Sequence, residues 1–445
     1  MTGVSPGPSS GPVPRELLPD TAVVAADGRL SVGGCDLLML AAEFGTPLFV
    51  YDEAHLAARC DEARGAFDDG VAYAAKAFLC RAMARLAHRA GLCIDVASLG
   101  ELHCALSAGV PAGRLVLHGN NKSEDELVLA LSAGVGRIVV DGADDLDRLE
   151  ALSKGRSVPQ AVLLRVTPGV EAHTHEFVRT GQEDTKFGVS IASGDASALL
   201  ARIERTDGLA LVGLHAHIGS QVFDVGSLAQ AAQILGTFFA PLGLEELCVG
   251  GGLGVAYVEG EAAPSISEWG RAVRASCGAA GVAPHVRITA EPGRAIAAGA
   301  GVTLYSVGAI KDVSGVRTYV AVDGGMSDNP RPVLYGSGYE AFLPRATPSL
   351  RPRAARIVGK HCESGDVLVD DGRLPADIRV GDVLCTPVTG AYGYSMASTY
   401  NRVGRPAVVF VKDGSARAVL RRELPVDLES LECDEASSPL PGGVQ

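Results

Sequence analysis

VAYAAKAFLC, residues 71–80, is an apolar segment with one charged residue, Lys76. Apart from Lys76 and the final cysteine, every residue in it is Val, Ala, Tyr, Phe or Leu. The segment predicts a buried strand that ends near the lysine. Either Lys76 lays its stem on apolar surface with its ammonium in water, or it is a desolvated amine nucleophile able to form a Schiff base. The rest of the chain has to distinguish these two interpretations.

Seven further apolar runs follow, separated by stretches with helical spacing such as RAMARLAHRAG (81–91). Ser123 and Glu126 have the spacing of a capping box and predict a helix start. The runs are LCIDVAS (92–98), RLVLHG (114–119), RIVVDG (137–142), AVLLRVTP (161–168), LVGLHAHIGS (211–220), ELCVGGGLG (246–254) and VRITAEPGR (286–294). Eight strand-helix units favour an α/β fold with a closed (β/α)8 barrel. An open doubly wound sheet is the alternative, but no GxGxxG follows the first strand.

After about residue 303 the pattern changes to short Val-rich runs separated by turn residues, including KDG (412–414) between two alternating runs. These runs predict a second, mostly antiparallel β domain. The hairpin-like segment 21–35, around Asp27-Gly28, is expected to join it. The predicted division is a disordered tail over 1–18, an N-terminal segment of the β domain over 19–45, the barrel over 46–302, the C-terminal β domain over 303–433 and a disordered tail over 434–445.

Composition limits the classes of function. The 445 residues are too many for one ordinary core, which favours two domains. The net charge of −13 disfavours nucleic acid and anionic membranes as partners. The ten cysteines include no CxxC pair, as expected in a reducing compartment. The first residues lack the pattern of a signal peptide, and the least charged run, 225–244, looks like a soluble helix. We therefore expect a cytoplasmic protein.

Polar residues concentrate at the carboxyl ends of the predicted barrel strands. They are Lys76, Asp95, Ser98, the GNN of 119–121, Arg165, His217, Ser220, the glycines 250–252, Glu291 and Arg294. In a barrel these ends meet at one mouth, where such enzymes hold their active sites. A single polar residue at a strand end means little, but the whole set is hard to explain as packing.

The last two strand ends predict a phosphate site. Three glycines alone could mark only a tight strand exit, but EPGR (291–294) follows at the next strand. The loops after strands seven and eight of a barrel commonly bind phosphate through backbone N–H groups. A phosphate site beside Lys76 indicates pyridoxal 5'-phosphate (PLP), with Glu291 as the acidic partner of its ring nitrogen. A salt bridge from Glu291 to Arg294 is the structural alternative.

A metal site is the main competing hypothesis. HAH (215–217) places two imidazoles on one face of a strand, and HTH (173–175) offers two more. However, metal-dependent barrel hydrolases carry HxH on their first strand and an aspartate on their last. Here the motif is on the sixth strand and Glu291 is on the last. No metal is predicted: His217 suits stacking on a flat cofactor, and His215 suits the core.

Nine motifs together resemble the fold-type III PLP-dependent decarboxylases, over roughly residues 20–430. They are YAAKA, HGNNKS, THEFVRTGQEDTKFG, HAHIGSQ, GGGLG, EPGR, DGGMSDNPRPVLYG, CESGD and GAYGYSMASTYN. The sequences HCESGD and DNPRP argue against the ornithine and arginine branches. The resemblance is to the branch that converts meso-2,6-diaminopimelate to L-lysine and CO2, the last step of lysine biosynthesis.

The resemblance also implies roles for residues. Lys76 binds the PLP aldehyde, His217 stacks on the ring and Glu291 contacts the ring nitrogen. Cys362 is the catalytic acid and belongs to the active site of the other subunit of a homodimer. The remaining cofactor-binding residues are Asp95, Ser220, Gly251, Gly252, Gly293, Arg294 and Tyr392; the substrate-binding residues are Arg294, Arg331, Tyr335, Glu363 and Tyr392.

The distal end of meso-diaminopimelate is a zwitterion, which suits Arg331 for its carboxylate and Glu363 for its ammonium. Two alternatives stay open from the sequence. One is a related fold-type III decarboxylase of secondary metabolism that acts on another amino acid. The other is a PLP-binding homologue without catalytic activity.

Overall fold

A computed structural model describes residues 11–169 and 185–433. The chain begins with a small antiparallel sheet of three strands and a helix that packs beside it. These are β1 (Val23–Val24), β2 (Leu30–Val32), β3 (Cys35–Asp36) and α1 (Leu37–Phe44), followed by β4 (Leu48–Asp52). The predicted hairpin around Gly28 is the β1–β2 pair. Its apolar side chains share a core with the second large sheet, so the segment joins the β domain by packing and not by strand pairing.

A parallel barrel follows. Its strands are β5 (Ala72–Ala74), β6 (Cys93–Val96), β7 (Leu115–Leu117), β8 (Arg137–Val140), β9 (Gln160–Thr167) with the short β10 (Val189–Ser190) beside it, β11 (Leu209–His215), β12 (Glu246–Cys248) and β13 (Arg287–Thr289). The main strands pair in chain order. Ala72 N donates to Ala290 O at 2.9 Å, which nearly closes the circle between β5 and the end of β13. The predicted barrel is therefore confirmed, and the open doubly wound sheet is wrong.

Helices precede, connect and follow the barrel strands. They are α2 (Glu53–Ala66), α3 (Arg81–Arg89), α4 (Leu99–Ser107), α5 (Glu124–Ala133), α6 (Ala143–Ser153), α7 (Asp195–Ile203), α8 (Val225–Phe239), α9 (Ile266–Ala279) and α10 (Arg294–Ala297). The predicted capping box of Ser123 and Glu126 begins α5. The segment Val225–Leu242 has the length and composition of a membrane span, but it lies in this helical layer between β11 and β12.

The barrel interior is apolar at mid-height and charged at both ends. Small and branched side chains fill the centre, among them Ala72, Val116, Val139 and Leu163. At the amino-terminal ends of the strands, Arg137 is buried against Glu246 and also donates to Gly70 O at 3.0 Å. Arg137 and Glu246 neutralise each other at this end of the barrel. The polar groups that could bind a ligand therefore lie at the opposite mouth.

A second sheet occupies most of the remaining chain. Its elements are β14 (Gly301–Val313), β15 (Arg317–Val322), α11 (Arg331–Tyr335), β16 (Arg353–Val358), β17 (Val367–Leu374), β18 (Val383–Thr386), β19 (Ala407–Lys412), β20 (Ser415–Leu420) and α12 (Pro425–Glu429). The strand order is β17-β16-β15-β14-β4-β19-β20, with β18 on β14. Only the β15–β16 and β4–β19 pairs are parallel. The mostly antiparallel β domain is therefore confirmed.

Two parts of the predicted division differ from the structure. Residues 11–18 belong to the predicted tail, yet Leu17 and Leu18 are buried and Arg351 donates to Gly11 O at 2.7 Å. β4 falls in the range predicted for the barrel but pairs with β14 and β19 of the second sheet. The predicted tail over 434–445 lies outside the described residues, as do the HTH motif and most of THEFVRTGQEDTKFG.

Candidate active site

A cavity of about 320 Å³ opens at the carboxyl ends of the barrel strands. It is lined by Ala74, Lys76, Asp95, Ala97, His118, Gly119, Arg165, Phe187, His215, His217, Ser220, Glu291, Arg294, Tyr335 and Tyr392. Most of these side chains follow directly from barrel strands, while Tyr335 and Tyr392 come from the β domain. The structure therefore brings together most of the site residues expected from the strand ends, together with residues from the second domain.

Lys76 lies in a single 3-10 turn, Ala75–Ala77, just beyond β5. The side chain is exposed and borders the cavity. The strand ends at Ala74, and the 3-10 turn that follows it places Lys76 at the mouth while Ala75 and Ala77 stay buried. Tyr392 N donates to Ala77 O at 2.8 Å, so the β domain holds this turn in place.

Glu291 lies two residues beyond β13 and is buried between two histidines. His118 Nε2 is 2.9 Å from Glu291 Oε1, and His215 Nε2 is 3.0 Å from Oε2. Burial by itself would raise the pKa of Glu291, but the charges and hydrogen bonds of His118 and His215 hold that pKa well below its usual range. Glu291 is therefore a carboxylate at neutral pH. The alternative salt bridge to Arg294 is wrong.

Asp95 of β6 is buried on the opposite side of His118. Its Oδ1 is 3.6 Å from His118 Nε2. Burial is the main cause that raises the pKa of Asp95 to about 7, and the charge of Glu291 adds to it while His118 opposes it. Two neighbouring carboxyl groups thus have very different proton affinities, a pattern typical of functional sites.

His217 lies just beyond β11 at the edge of the cavity. Gly251 N donates to His217 Nδ1 at 3.0 Å. Desolvation, Lys76 and Arg165 all lower the pKa of His217 well below its usual range. The ring is therefore neutral, with Nδ1 as acceptor and its proton on Nε2. A neutral, half-buried imidazole fixed by a backbone N–H is suited to lie against a flat ring.

The glycine loop 250–252 has no room for side chains. A Cβ at Gly251 would lie 2.5 Å from Glu291 O, and one at Gly252 would lie 2.4 Å from Gly219 O. A small pocket of about 30 Å³ beside this loop is lined by Ser220, Gly252, Gly293, Arg294 and Tyr392, among others. The tight approach of bare backbone segments beside a guanidinium fits an anion such as a phosphate.

Two buried arginines surround Tyr257 next to this pocket. Arg294 donates to Tyr257 OH at 2.7 Å and to Ser220 Oγ at 2.8 Å. Arg331 lies over the Tyr257 ring at 4.1 Å and donates to Tyr339 OH at 2.6 Å. In the described part of the chain neither guanidinium forms an ion pair with a carboxylate, and the Nε of each has no hydrogen-bond partner. Buried cations of this kind require anions, which a ligand can supply.

Six of the expected residues do not line the 320 Å³ cavity: Gly252 and Gly293 line the smaller pocket, Gly251 lines neither, and Arg331, Cys362 and Glu363 lie elsewhere. Arg331 is buried behind the cavity, whereas Cys362 and Glu363 are exposed on a loop of the β domain. None of these last three belongs to the residues that line the cavity in the described part of this chain. Cys362 N donates to Asn401 Oδ1 at 3.3 Å, and the preceding His361 contacts Asn401 Oδ1 at 3.2 Å. The loop is thus held in a defined conformation with its thiol facing outward.

For several residues of the site the sequence predicts no role or a different role. His118 directly follows β7 and is therefore a polar residue at a strand end, but the predicted strand-end residues include only the GNN that comes after it. His215 is predicted as a core residue, yet it contacts Glu291. Phe187 lies 4.3 Å beneath Arg165, and Ser98 caps α4 instead of lining the mouth. Of the two histidines of HAH, His215 contacts Glu291 and His217 accepts a hydrogen bond from Gly251 N.

Comparisons with known proteins agree with this site. A family model described as "Pyridoxal-dependent decarboxylase, pyridoxal binding domain" matches residues 53–298. Diaminopimelate decarboxylase of Mycobacterium tuberculosis (strain ATCC 25618 / H37Rv) is 49% identical over 425 residues, covering 91% of this chain and 95% of that protein. The Bacillus subtilis (strain 168) enzyme of the same name is 44% identical, with 91% and 95% covered. The crystal structure of Diaminopimelate Decarboxylase from M. jannaschii in co-complex with L-lysine has a TM-score of 0.86 and 31% identity, with 93% and 98% covered.

The barrel, its lysine and its anion pocket define a PLP-dependent decarboxylase of fold type III. Within that class the chain belongs to the diaminopimelate decarboxylase family, as its identity to the two curated relatives over about nine-tenths of its length shows. The resemblance in the motifs is therefore confirmed, and PLP is the cofactor. The roles of individual residues remain predictions.

Proposed function

We propose that this protein removes CO2 from meso-2,6-diaminopimelate and releases L-lysine, as the last step of lysine biosynthesis. The observation that carries the proposal is the pair of buried arginines, Arg294 and Arg331, which form no ion pair with a carboxylate of the described chain. A substrate with a second carboxylate would neutralise such a charge. A mono-carboxylate amino acid would leave it unpaired and would be strongly rejected.

The cavity fits PLP at each of its functional groups. Lys76 would hold the aldehyde, His217 would lie against the ring and Glu291 would accept the ring N–H. Ser220, Gly251, Gly252, Gly293 and Tyr392 would surround the phosphate with Arg294, and Asp95 would complete the ring's surroundings. When bound, PLP supplies the electron sink that accepts the electron pair left when CO2 departs.

The protein's own groups would orient the substrate and move its protons. Arg294, Arg331, Tyr335 and Tyr392 would bind the distal carboxylate end, and Glu363 would bind the distal ammonium. Cys362 would donate its thiol proton to the substrate carbon that has lost CO2. Because Cys362 and Glu363 lie outside the cavity of their own chain in the described structure, we propose that they serve the cavity of a second subunit in a homodimer.

The proposed location is the cytoplasm. The chain resembles bacterial diaminopimelate decarboxylases along nearly its whole length. Its free cysteines are mostly buried, and none of those described forms a disulfide. This pattern is typical of a reducing compartment.

CO2 release from a panel of amino acids tests the function. The panel contains meso-, LL- and DD-diaminopimelate, ornithine, arginine and lysine. We expect turnover of the meso compound and rates about 10⁴-fold lower for substrates without a second carboxylate, because buried charges would lose their partner. Turnover of another amino acid in place of the meso compound would indicate a related fold-type III decarboxylase of secondary metabolism. Absence of turnover from all six, with PLP bound, would indicate a non-catalytic homologue.

Borohydride reduction followed by peptide mass spectrometry tests the assignment of Lys76. We expect the cofactor to be attached to Lys76 in the wild type and lost in Lys76→Ala. Lys154→Ala removes an exposed lysine at the end of α6 and provides the matched control. A Lys76→Ala protein that binds PLP covalently and turns over normally would contradict the proposal.

A further inference from the structure

The carboxylate of Glu291 has a histidine at each of its two oxygens. His118 reaches Oε1 from the end of β7, and His215 reaches Oε2 from the end of β11. All three side chains are at least nine-tenths buried. Two contacts on different oxygens fix both the position and the plane of the carboxylate, because rotation about its last bond would break both.

The direction of the hydrogen bond between His215 and Glu291 follows from the charge of Glu291. An ionised carboxylate only accepts, so His215 donates from its Nε2 atom, while His118 Nε2 approaches Oε1 at the distance of an ion pair, 2.9 Å. His215 Nδ1 is buried and has no hydrogen-bond partner among the described residues. The two rings lie edge to face at 4.9 Å and pack against each other.

We propose that His118 and His215 are positioning residues that keep Glu291 ionised and correctly oriented toward the ring nitrogen of PLP. This inference rests on the proposed function, since it assigns Glu291 to that nitrogen. The two histidines need not touch the substrate. They act through Glu291, because a buried carboxyl without donors would take up a proton and could no longer accept the ring N–H.

Other charged or titratable groups also face Glu291 and have to be considered in any pH experiment. Asp95 lies across His118, and His217 and Arg165 border the same cavity. Arg137 and Cys248 act on Glu291 from within the barrel. His118 and His215 differ from all of these because they alone, among the described side chains, directly contact the Glu291 carboxylate.

The test measures PLP binding to the apo-protein across a pH series, in addition to turnover. His118→Leu and His215→Leu remove the donors, and we expect about 10- to 100-fold weaker PLP binding. The loss should be largest at low pH and should shrink as pH rises, because the pKa of Glu291 increases when its donors are removed. His118→Gln and His215→Gln restore an amide N–H near the Nε2 position and should recover most of the affinity.

The Glu291→Gln background shows whether the histidines act through Glu291. With a neutral amide at 291, either Leu substitution should have little further effect on PLP affinity or on its pH dependence. His55→Leu removes a buried histidine that bonds Asp20 N at 3.1 Å away from the site, and serves as the matched control for general destabilisation. If a Leu variant fails to fold, the shorter Asn side chain at the same position replaces it in the comparison with Gln.

Two results would overturn the inference while leaving the function intact. One is unchanged PLP affinity and pH dependence in the variants that lack the donor. The other is an equal loss of affinity in the wild-type and Glu291→Gln backgrounds. Failure of the proposed function would be distinct, because the wild-type protein itself would then not bind PLP or release CO2 from any substrate.

Discussion

Gly251 is a position where a single added methyl group would clash with a functional residue. Its Cβ would lie 2.5 Å from Glu291 O, whereas its distance of 3.5 Å to His217 Cε1 would be an ordinary van der Waals contact. The backbone carbonyl of Glu291 can avoid this contact only if the chain itself shifts. Gly251→Ala should therefore displace the end of β13. We expect PLP affinity at least about 10-fold lower, since the lost contacts are hydrogen bonds and ion pairs.

Gly278→Ala is the matched control for this substitution. Gly278 lies in α9, and a Cβ there would meet nothing within 4 Å. Alanine favours a helix by about 0.5–1 kcal/mol over glycine, so thermal stability should be equal or slightly higher and PLP affinity unchanged. Equal affinities for the two variants would show that the close approach at Gly251 is not needed for cofactor binding.

At the scale of single residues, the sequence predicts positions better than contacts. Lys76, Asp95, His217 and Glu291 could be located because parallel strands end at one mouth. The partners of Glu291 could not be predicted, because His118 and His215 are far apart in sequence and come together only in the folded barrel. The exposure of Lys76 also depends on where β5 ends, which a continuous apolar run does not reveal.

Two segments of the β domain, the turn after β15 and the loop at 361–366, form one hydrogen-bonded element around Cys362. Asp366 accepts from Met326 N at 2.6 Å and from His361 N at 2.8 Å. His361 Nε2 contacts Ser327 Oγ at 2.7 Å. The loop that carries the thiol is therefore anchored to the turn after β15 through Asp366 and His361. Hydrogen bonds thus link the DGGMSDNP motif to the HCESGD motif.

Asp328 of the same turn gives this element a pH-dependent stability. Its Oδ1 accepts from Tyr305 OH at 2.5 Å and its Oδ2 from Gly325 N at 2.8 Å. Burial raises the pKa of Asp328 from its ordinary value of 3.8 to about 7. The native state therefore favours the protonated form. The corresponding stability is complete below about pH 4 and is lost as pH rises through 7.

Asp328→Asn removes this titration and keeps a similar shape. The stability of the variant relative to the wild type should rise by at least about 1 kcal/mol between pH 5 and pH 8. Urea unfolding of both proteins at each pH measures the difference. A difference in midpoints that stays constant over this range would show that Asp328 is ionised throughout.

At the scale of elements, the sequence predicts where the strands lie along the chain but not which strand pairs with β4. All eight main barrel strands overlap the apolar runs, although β9 begins one residue and β11 two residues earlier. The KDG turn joins β19 to β20, with Asp413 and Gly414 both at positive φ. β4, LFVYD, is buried along its whole length, like a barrel strand. A continuous apolar run indicates burial on both faces but does not identify the neighbouring strand.

At the scale of the whole molecule, the positions of Lys76 and Cys362 test the proposed homodimer. Cys362→Ala should lower turnover by about 10²–10⁴-fold, the usual contribution of a positioned general acid. Mixing it with Lys76→Ala after subunit exchange should restore about one quarter of wild-type turnover, since half the dimers are mixed and one of their two sites is intact. Each variant alone, treated in the same way, provides the control.

The opposite result has a clear meaning. If subunit exchange is verified by mass spectrometry and activity does not recover, Cys362 serves the cavity of its own chain. The loop at 361–366 would then have to move toward Lys76 of the same subunit. Decarboxylation itself would be unaffected by that outcome, because only the origin of the proton donor would change.

The place of β4 in the second sheet also has a consequence for how the polypeptide is made. Residues 48–52 leave the ribosome early, whereas their neighbours begin at residues 301 and 407. Until β14 and β19 have been synthesised, this apolar strand has two open edges, which invite pairing with other nascent chains. A chain that ends before residue 407 would keep one of these edges open permanently. Premature termination before residue 407 should therefore promote aggregation through this open edge of β4.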